Sequence, residues 1–330
     1  EGKPYDTPLE PFGGSEDYTW NNDGSAVYYV TKQAFGKDYM TSTNTDVFRY
    51  NMASGESLNL TQENKGYDTA PAVSRDGRLA WLQMDEPGYE ADKNDLMVSD
   101  GAKSHNLTSS WDGTVSSFLW SRDGQQIYFL APTKGTVQLF SISTTSGPNN
   151  EVRQITEGTF DVTGLVGEVD NTLLVSRTDM NHAAEIYRVQ LLDGSMTQLT
   201  HVNDDVYERI NLSAIEKANI ATTDGKEMVT WIIYPPGFDS TKTYPTLLYC
   251  QGGPQSPLSQ FYSFRWNFQL MAAHGYIVVA PNRRGMPGHG VAWNEQISLD
   301  WGGQNMRDYL SAIDAVSPRP YVDQDRLGCV

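Results

Sequence analysis

The fold is decided by a stretch near the end of the sequence, Leu247-Leu248-Tyr249-Cys250-Gln251-Gly252-Gly253-Pro254, which indicates a buried strand running into a Gly-rich turn. The same design recurs in Tyr276-Ile277-Val278-Val279-Ala280-Pro281-Asn282-Arg283-Arg284-Gly285. Residues 323–330 predict a third strand of this kind. The sequence therefore predicts at least three buried strands, two of which end in loops that contain Gly, and the second of these loops carries two arginines.

Helical patterns alternate with these strands. The first covers residues 258–274, with Gly275 placed to end the helix, and the second covers residues 304–316. The predicted core positions are Phe261, Phe264, Phe268 and Met271 in the first helix, and Met306, Tyr309, Leu310 and Ile313 in the second. This alternation predicts a mostly parallel sheet, in which ligands bind beyond the carboxyl ends of the strands.

Two local markers recur through the first two thirds of the chain. The first is a turn dipeptide at intervals of 53, 47 and 47 residues: Asp23-Gly24, Asp76-Gly77, Asp123-Gly124 and the degenerate Asp170-Asn171. The second is an apolar residue followed by Thr, at intervals of 47, 48 and 44 residues: Leu60-Thr61, Leu107-Thr108, Ile155-Thr156 and Leu199-Thr200. Two markers with one period indicate a repeat, and about 40 to 50 residues is the length of a four-stranded propeller blade.

The strand pattern within one repeat supports this interpretation. Residues 117–120 and 126–130 predict two strands that flank a hairpin turn, since an Asp-Gly step suits such turns. The sequence therefore predicts a partial β-propeller of about four blades in residues 1–211, and residues 9–12 resemble the end of an earlier blade. The α/β pattern that follows predicts a second domain in residues 212–330.

Composition opposes several functions. The 41 acidic and 24 basic side chains give a formal charge of −17, which disfavours binding to nucleic acid or anionic lipid. No apolar run approaches the ~18 residues that span a bilayer. Cys250 and Cys329 both fall in predicted buried strands and are expected to be core residues rather than a disulfide. No motif for a metal ion or an organic cofactor is found, so neither is expected.

The motifs of the final domain occur in a recognisable order. They are Gln251-Gly252-Gly253-Pro254, then Pro281-Asn282-Arg283-Arg284-Gly285 with Gly288-His289-Gly290 and Trp293 behind it, and then Trp301-Gly302-Gly303. This order resembles the prolyl oligopeptidase family of serine peptidases, and is most similar to its acylaminoacyl-peptidase and bacterial type-five dipeptidyl-peptidase branch. The resemblance implies a β-propeller followed by the N-terminal part of an α/β-hydrolase domain.

The resemblance also implies an oxyanion hole and a location for the catalytic residues. A Gly-Gly turn exposes backbone N–H groups, and Gly253 would donate one of the two bonds that an oxyanion needs. Gln251 is either a second donor or a residue that bonds the turn. In this fold the triad follows the order Ser, Asp, His, and no Gly-x-Ser-x-Gly motif occurs in the sequence. The three catalytic residues are therefore expected beyond Val330, and none of the five histidines fits the catalytic role.

Two charged residues are candidates for substrate binding. Arg284 either contacts substrate carbonyl groups or forms an ion pair that braces its loop, and the bracing role is favoured. Glu208 either binds the free ammonium group of a peptide, which requires a carboxylate, or is a solvated surface residue. Arg283 replaces an aromatic residue common at its position in the family. Trp293 is expected to pack, and His289 to form a hydrogen bond within its loop.

Three functional hypotheses follow. The first is part of a serine peptidase that removes dipeptides or acyl-amino acids from the N-terminus of short peptides through an acyl-enzyme, with this chain alone predicted to be inactive. The alternatives are a non-catalytic propeller that binds peptide or protein beside a degenerate hydrolase remnant, and an esterase on the same scaffold. The resemblance implies short peptide substrates, no membrane insertion and a periplasmic or secreted location, and it leaves a homodimer open as the assembly.

Overall fold

A computed structural model describes residues 5–9, 13–145 and 151–330. Within these ranges the chain divides into two compact units. One unit comprises the described residues of Glu1–Ala131 and Leu139–Gln154, and the other comprises Pro132–Gln138 and Ile155–Val330. Residues 10–12 of the segment predicted to end an earlier blade lie outside the described residues.

Four antiparallel sheets of four strands follow one another along the chain, so the predicted repeat of four-stranded units is confirmed. A 3₁₀ helix at Ser15–Asp17 precedes the first sheet, and helix α1 (Gly36–Thr41) lies between its second and third strands. The strands are β1 (Tyr18–Trp20), β2 (Ala26–Thr31), β3 (Asp46–Asn51) and β4 (Ser57–Asn59); β5 (Asp68–Val73), β6 (Leu79–Gln83), β7 (Asp95–Ser99) and β8 (Ser104–Asn106); β9 (Ser117–Trp120), β10 (Gln126–Thr133), β11 (Thr136–Ser143) and β12 (Arg153–Gln154); β13 (Asp161–Val169), β14 (Thr172–Asp179), β15 (His182–Gln190) and β16 (Met196–Gln198).

The turn marker of the repeat forms the first hairpin of each sheet. In the third sheet Gly124 has φ +71°, and the Asp123 carboxylate accepts hydrogen bonds from the Ser121 hydroxyl at 2.7 Å and from the Gln125 N–H at 2.9 Å. A residue without a Cβ adopts this φ at little cost. Asp170 and Asn171, the degenerate marker, both have positive φ, at 47° and 60°. The prediction of four equivalent hairpins is therefore correct.

The Thr marker also has a structural cause, because in each sheet its hydroxyl forms a hydrogen bond with a residue of the third strand. The Thr108 hydroxyl accepts from the Leu96 N–H at 2.9 Å and donates to the Asp95 carboxylate at 2.7 Å. Thr200 accepts from the Ile186 N–H at 2.9 Å and donates to Glu185. The repeat thus preserves a buried polar bond as well as an apolar pattern.

A mixed sheet of five strands forms most of the rest of the second unit. Its order is β17-β18-β20-β19-β21, and β18 runs opposite to the other four strands. The strands are β17 (Ile215–Ala221), β18 (Glu227–Ile233), β19 (Tyr244–Leu248), β20 (Ile277–Pro281) and β21 (Val322–Cys329). Four helices accompany the second unit: α2 (Asp204–Tyr207), α3 (Phe268–Ala273), α4 (Val291–Glu295) and α5 (Gln304–Val316).

Both the fourth repeat sheet and the mixed sheet belong to the second unit. Met180, from the β14–β15 turn, packs in one buried cluster with Trp231 and Ile233 of β18. The change of pattern predicted after Asn211 therefore lies inside a compact unit. The division into domains 1–211 and 212–330 stays a prediction.

The predicted helix over residues 258–274 is wrong for most of its length, because α3 covers only Phe268–Ala273. The backbone N–H and carbonyl of Leu258 are both bound by the side-chain amide of Asn282, at 3.0 and 2.8 Å, which removes them from a helical ladder. The Asn267 side chain accepts from the Leu270 N–H and caps the short helix. Phe264, predicted to be core, is 87% exposed.

Helix α5 has the predicted bounds but a different buried face. Tyr309 is buried and Ile313 is partly buried, as predicted, whereas Met306 and Leu310 are exposed. The face that is buried instead carries Asn305, Asp308, Tyr309, Ala312 and Val316. Polar partners on neighbouring loops explain why Asp308 can face inward.

The two cysteines are exposed and free, so their predicted burial is wrong. Cys329 ends β21, which forms an edge of the mixed sheet, and Cys250 follows β19. Among the helices of the described chain, none is long and apolar enough to cross a membrane.

Candidate active site

The loops after β19 and β20 meet the end of β21 at one edge of the mixed sheet, because these three strands run parallel and end there. The Tyr249 N–H donates to the Val279 carbonyl at 2.8 Å, and the Cys250 N–H donates to the Val330 carbonyl at 2.7 Å. The first loop, residues 251–254, therefore begins between the ends of the other two strands. We call it the Gly-Gly turn.

The Gly-Gly turn presents open backbone. Gly253 has φ +59°, a left-handed conformation that glycine adopts without strain, and the Ser256 N–H donates to its carbonyl at 2.9 Å. A Cβ built on Gly252 or Gly253 would meet no atom within 4 Å. Neither of these glycine N–H groups has an acceptor within the described residues. The turn thus carries two unpaired donors at the edge where the strands end.

The side-chain amide of Gln251 forms hydrogen bonds within the loop that follows β19. Its Nε2 donates to the carbonyls of Ser256 at 3.1 Å and Pro257 at 3.5 Å. Of the two predicted roles, this geometry favours the one in which Gln251 bonds the turn. Its backbone carbonyl, rather than its side chain, is the group that the rest of the site contacts.

Arg284 is fully buried and held from several sides. Its guanidinium lies 2.6 Å from the Asp308 carboxylate and 2.5 Å from that of Asp224, and it stacks over Trp293 at 4.0 Å. A hydrogen bond from Thr222 and the Arg284 charge together lower the pKa of Asp224 to about 2. Arg284 has no exposed surface and two carboxylate partners. This geometry favours the role in which Arg284 braces its loop over the role in which it contacts substrate.

Arg283 has a role that the sequence does not predict. Its side chain is 3% exposed, and its guanidinium donates to the carbonyls of Gln251 at 3.1 Å and Pro254 at 3.0 Å. Tyr309, predicted only as a core residue, donates its hydroxyl to the same Gln251 carbonyl at 2.9 Å. The sequence feature that could have indicated this role is the position of Arg283 directly after a buried strand. Water cannot solvate the guanidinium there, so it needs hydrogen-bond acceptors from the protein.

Of two neighbouring aromatic residues, Trp293 packs as predicted, whereas the loop hydrogen bond predicted for His289 is not seen among the described residues. Trp293 is buried as expected, and its Nε1 donates to the Arg283 carbonyl at 3.1 Å. His289 lies beside it, with ring centroids 5.7 Å apart, and its Nε2 is buried without a partner among the described residues. Burial and the nearby Lys217 lower the pKa of His289 to about 4, so the ring is neutral at pH 7.

Glu208 lies elsewhere in the second unit. It follows α2, is exposed, and lines a cavity of about 530 Å³ beside the fourth repeat sheet. The wall includes Arg177, stacked between Phe160 and Tyr187 at 4.0 and 4.7 Å, and His182, whose pKa is raised chiefly by a hydrogen bond to Asp179. Within the described ranges, the Glu208 carboxylate forms no hydrogen bond or ion pair with the Gly-Gly turn.

Two family models match this chain. Residues 262–330 match the prolyl oligopeptidase family, and residues 92–229 match the N-terminal region of dipeptidyl peptidase IV. The first match contains the Arg283-Arg284 loop and α5. The second contains the third and fourth repeat sheets and the last two strands of the second.

Curated relatives match the chain from end to end. Dipeptidyl-peptidase 5 of Porphyromonas gingivalis is 44% identical over 334 residues, which cover 100% of this chain and 48% of that protein. Dipeptidyl-peptidase 5 of Porphyromonas endodontalis is 40% identical, with the same coverage. Dipeptidyl-peptidase 5 of Arthroderma benhamiae is 28% identical, and the match covers 97% of this chain and 46% of that protein. The chain spans about half the length of the curated relatives that it matches.

Solved structures share the fold. Uncomplexed acylaminoacyl peptidase of Pyrococcus horikoshii matches with a TM-score of 0.78 at 21% identity, covering 94% of this chain and 47% of that one. Dipeptidyl peptidase 4 of Porphyromonas gingivalis matches with a TM-score of 0.64 at 16% identity, covering 94% and 55%. The succession of four-stranded sheets and a mixed sheet is therefore an arrangement found in known peptidases. By the family model over residues 262–330 and the relatives that span this chain, the chain is similar to members of the prolyl oligopeptidase family.

Proposed function

We propose that the protein carrying this chain is a serine peptidase that releases dipeptides or acyl-amino acids from the N-terminus of short peptides. The observation that carries the proposal is the Gly-Gly turn. Its two unpaired N–H groups lie at the edge of the sheet where β21 ends, and the Cys250 N–H holds the Val330 carbonyl beside them. The relatives named dipeptidyl-peptidase support the substrate class.

The proposed chemistry is acyl transfer. A Ser hydroxyl following Val330 attacks the peptide carbonyl carbon and gives its proton to a His, while the carbonyl π electrons move to oxygen. The Gly253 N–H, and one N–H after the Ser, bind the resulting oxyanion. Collapse of the intermediate expels the amine, which takes the proton from His, and water then hydrolyses the acyl-enzyme. In this proposal the chain supplies half of the oxyanion hole and is inactive alone.

The four repeat sheets fit blades of a β-propeller, and we include this architecture in the proposal. Residues 1–211 would form the propeller and residues 212–330 the start of the α/β-hydrolase domain. A propeller restricts access to short peptides, and Glu208 would bind the substrate ammonium group from its acidic cavity. A periplasmic or secreted location and a homodimer belong to the same proposal.

A fluorophosphonate probe tests the proposal on the full-length protein. The expected result is covalent labelling of one serine beyond Val330, together with release of dipeptides from dipeptidyl amides. Labelling with faster turnover of simple acyl esters would favour an esterase. Absence of labelling, with peptide binding retained, would instead support a non-catalytic binding module and contradict the proposal.

A further inference from the structure

Arg283 is a buried cation without an acidic partner. Its guanidinium forms four hydrogen bonds, all to neutral oxygens: the Tyr309 hydroxyl at 3.2 Å and the carbonyls of Arg284 at 2.7 Å, Pro254 at 3.0 Å and Gln251 at 3.1 Å. No carboxylate in the described chain lies within 4.0 Å of it, whereas the adjacent Arg284 has two. Burying an unpaired charge is costly, so a structural role alone would be served better by a neutral residue.

Two of the four bonds reach one loop, the Gly-Gly turn. The carbonyls of Gln251 and Pro254 flank the two glycines, and the planar fork of Arg283 spans both of them. Tyr309 adds a second bond to the Gln251 carbonyl, from a helix that lies 58 positions later in the sequence. Glycine pairs are otherwise flexible, so these bonds fix a segment whose side chains cannot do so.

The charge of Arg283 also reaches the groups around the turn. Burial raises the pKa of Tyr309, and the Arg283 charge opposes that rise. Burial and Cys329 raise the pKa of Cys250, and Arg283 again opposes. Because the guanidinium is not neutralised by a carboxylate, its field remains available to an anion that forms at the Gly-Gly turn.

We infer that Arg283 is a positioning residue for oxyanion binding: it fixes the Gly-Gly turn through the carbonyls of Gln251 and Pro254 and places an uncompensated positive charge beside the two free N–H groups. This inference rests on the proposed function for its catalytic part. The geometric part, the fixing of the turn, stands on the hydrogen bonds alone. The two parts are tested by separate measurements.

The geometric part is tested by hydrogen–deuterium exchange of the Ser256 amide, which closes the turn by donating to Gly253. In the full-length protein, Arg283→Met is expected to raise the Ser256 exchange rate about tenfold or more. Arg319→Met is the control for loss of an arginine elsewhere, since Arg319 is partly buried and binds a carboxylate and two Tyr hydroxyls outside the turn. Unchanged Ser256 exchange in Arg283→Met would overturn the inference, whether or not the protein is a peptidase.

The catalytic part is tested by kinetics on a dipeptidyl amide. Loss of one oxyanion donor costs about 10²–10³ in kcat, and loss of a positioning residue is expected to cost about tenfold or more with KM nearly unchanged. Arg283→Lys keeps the charge but cannot span two carbonyls, so it should recover part of kcat. Affinity for a peptide aldehyde, whose adduct is an oxyanion, should fall in parallel with kcat/KM.

The outcomes separate the two proposals. Faster Ser256 exchange with unchanged kcat would overturn the catalytic part. Faster exchange in a protein whose wild type does not react with fluorophosphonate would overturn the proposed function and keep Arg283 as the residue that fixes the turn. If Arg283→Met does not fold, Tyr309→Phe is the milder variant, because it removes one of the two bonds to the Gln251 carbonyl. Ser256 exchange and kcat are then measured in that variant.

Discussion

The guanidinium of Arg284 lies 2.6 Å from the carboxylate of Asp308, and neither side chain has any exposed surface. The same carboxylate accepts the Arg284 backbone N–H at 2.9 Å. One acidic side chain of α5 therefore holds both the backbone and the side chain of the loop that follows β20. Because Arg283 is the preceding residue, this pair also fixes the base from which Arg283 reaches the Gly-Gly turn.

Removing one member of this pair should be strongly destabilising. Asp308→Ala leaves a buried guanidinium partly unpaired, and we expect the free energy of unfolding to fall by about 3–5 kcal/mol in urea titration. Asp323→Ala breaks the exposed pair with Arg326 and should cause no measurable loss. Equal effects of the two substitutions would contradict the role assigned to Asp308.

Gly253→Ala should separate conformation from catalysis. Alanine at φ +59° costs about 1–2 kcal/mol, and its Cβ meets nothing within 4 Å. Gly237→Ala is a matched control, with φ +69° and equally open space in another turn. In the full-length protein both variants should lose similar stability, but only Gly253→Ala should slow fluorophosphonate labelling, by about tenfold or more. Similar labelling rates would show that the turn is not part of the oxyanion hole.

Asp161 should make stability depend on pH. Burial raises the pKa of Asp161 to about 6, although Ser259 donates to it at 2.5 Å and the Val137 N–H at 2.8 Å. The folded state therefore binds a proton that the unfolded state has released, so this contribution is complete below about pH 4 and is lost as pH rises through about 6. In Asp161→Asn, the melting temperature should change less with pH between about 4 and 6 than it does in the wild type. A variant with the slope of the wild type would disprove the assignment.

Arg78 should couple the second and third repeat sheets. Its guanidinium donates to the Gly124 carbonyl at 2.5 Å and the Thr144 hydroxyl at 3.0 Å, and it lies 5.1 Å from the Trp120 ring. Arg78→Met is expected to cost about 2 kcal/mol, because several bonds from a charged donor are lost. Hydrogen exchange at the Thr144 amide would report the loss locally. Arg75→Met, in the same turn but exposed, should leave that exchange unchanged.

Local features of this fold could be predicted because their causes lie within a few residues. The Asp-Gly hairpins follow from the backbone freedom of Gly and the hydrogen bonds of Asp, and α5 has the predicted bounds, Gln304–Val316. The helix predicted over residues 258–274 is wrong, and the cause of this lies far away in the sequence. There the apolar spacing is helical, but Asn282, 24 positions away, takes the backbone groups of Leu258.

The sequence by itself determined the period of the repeat, the strands that lead to the site, the Gly-Gly turn and the resemblance to the prolyl oligopeptidase family. Each of these is encoded in neighbouring residues or in their spacing. Only the tertiary structure decided what the charged residues do: Arg284 pairs with acids, whereas Arg283 binds the carbonyls on both sides of the turn. Two adjacent arginines look alike in a sequence. They differ because the partner of each lies 24 to 60 positions away and is brought within reach only by folding.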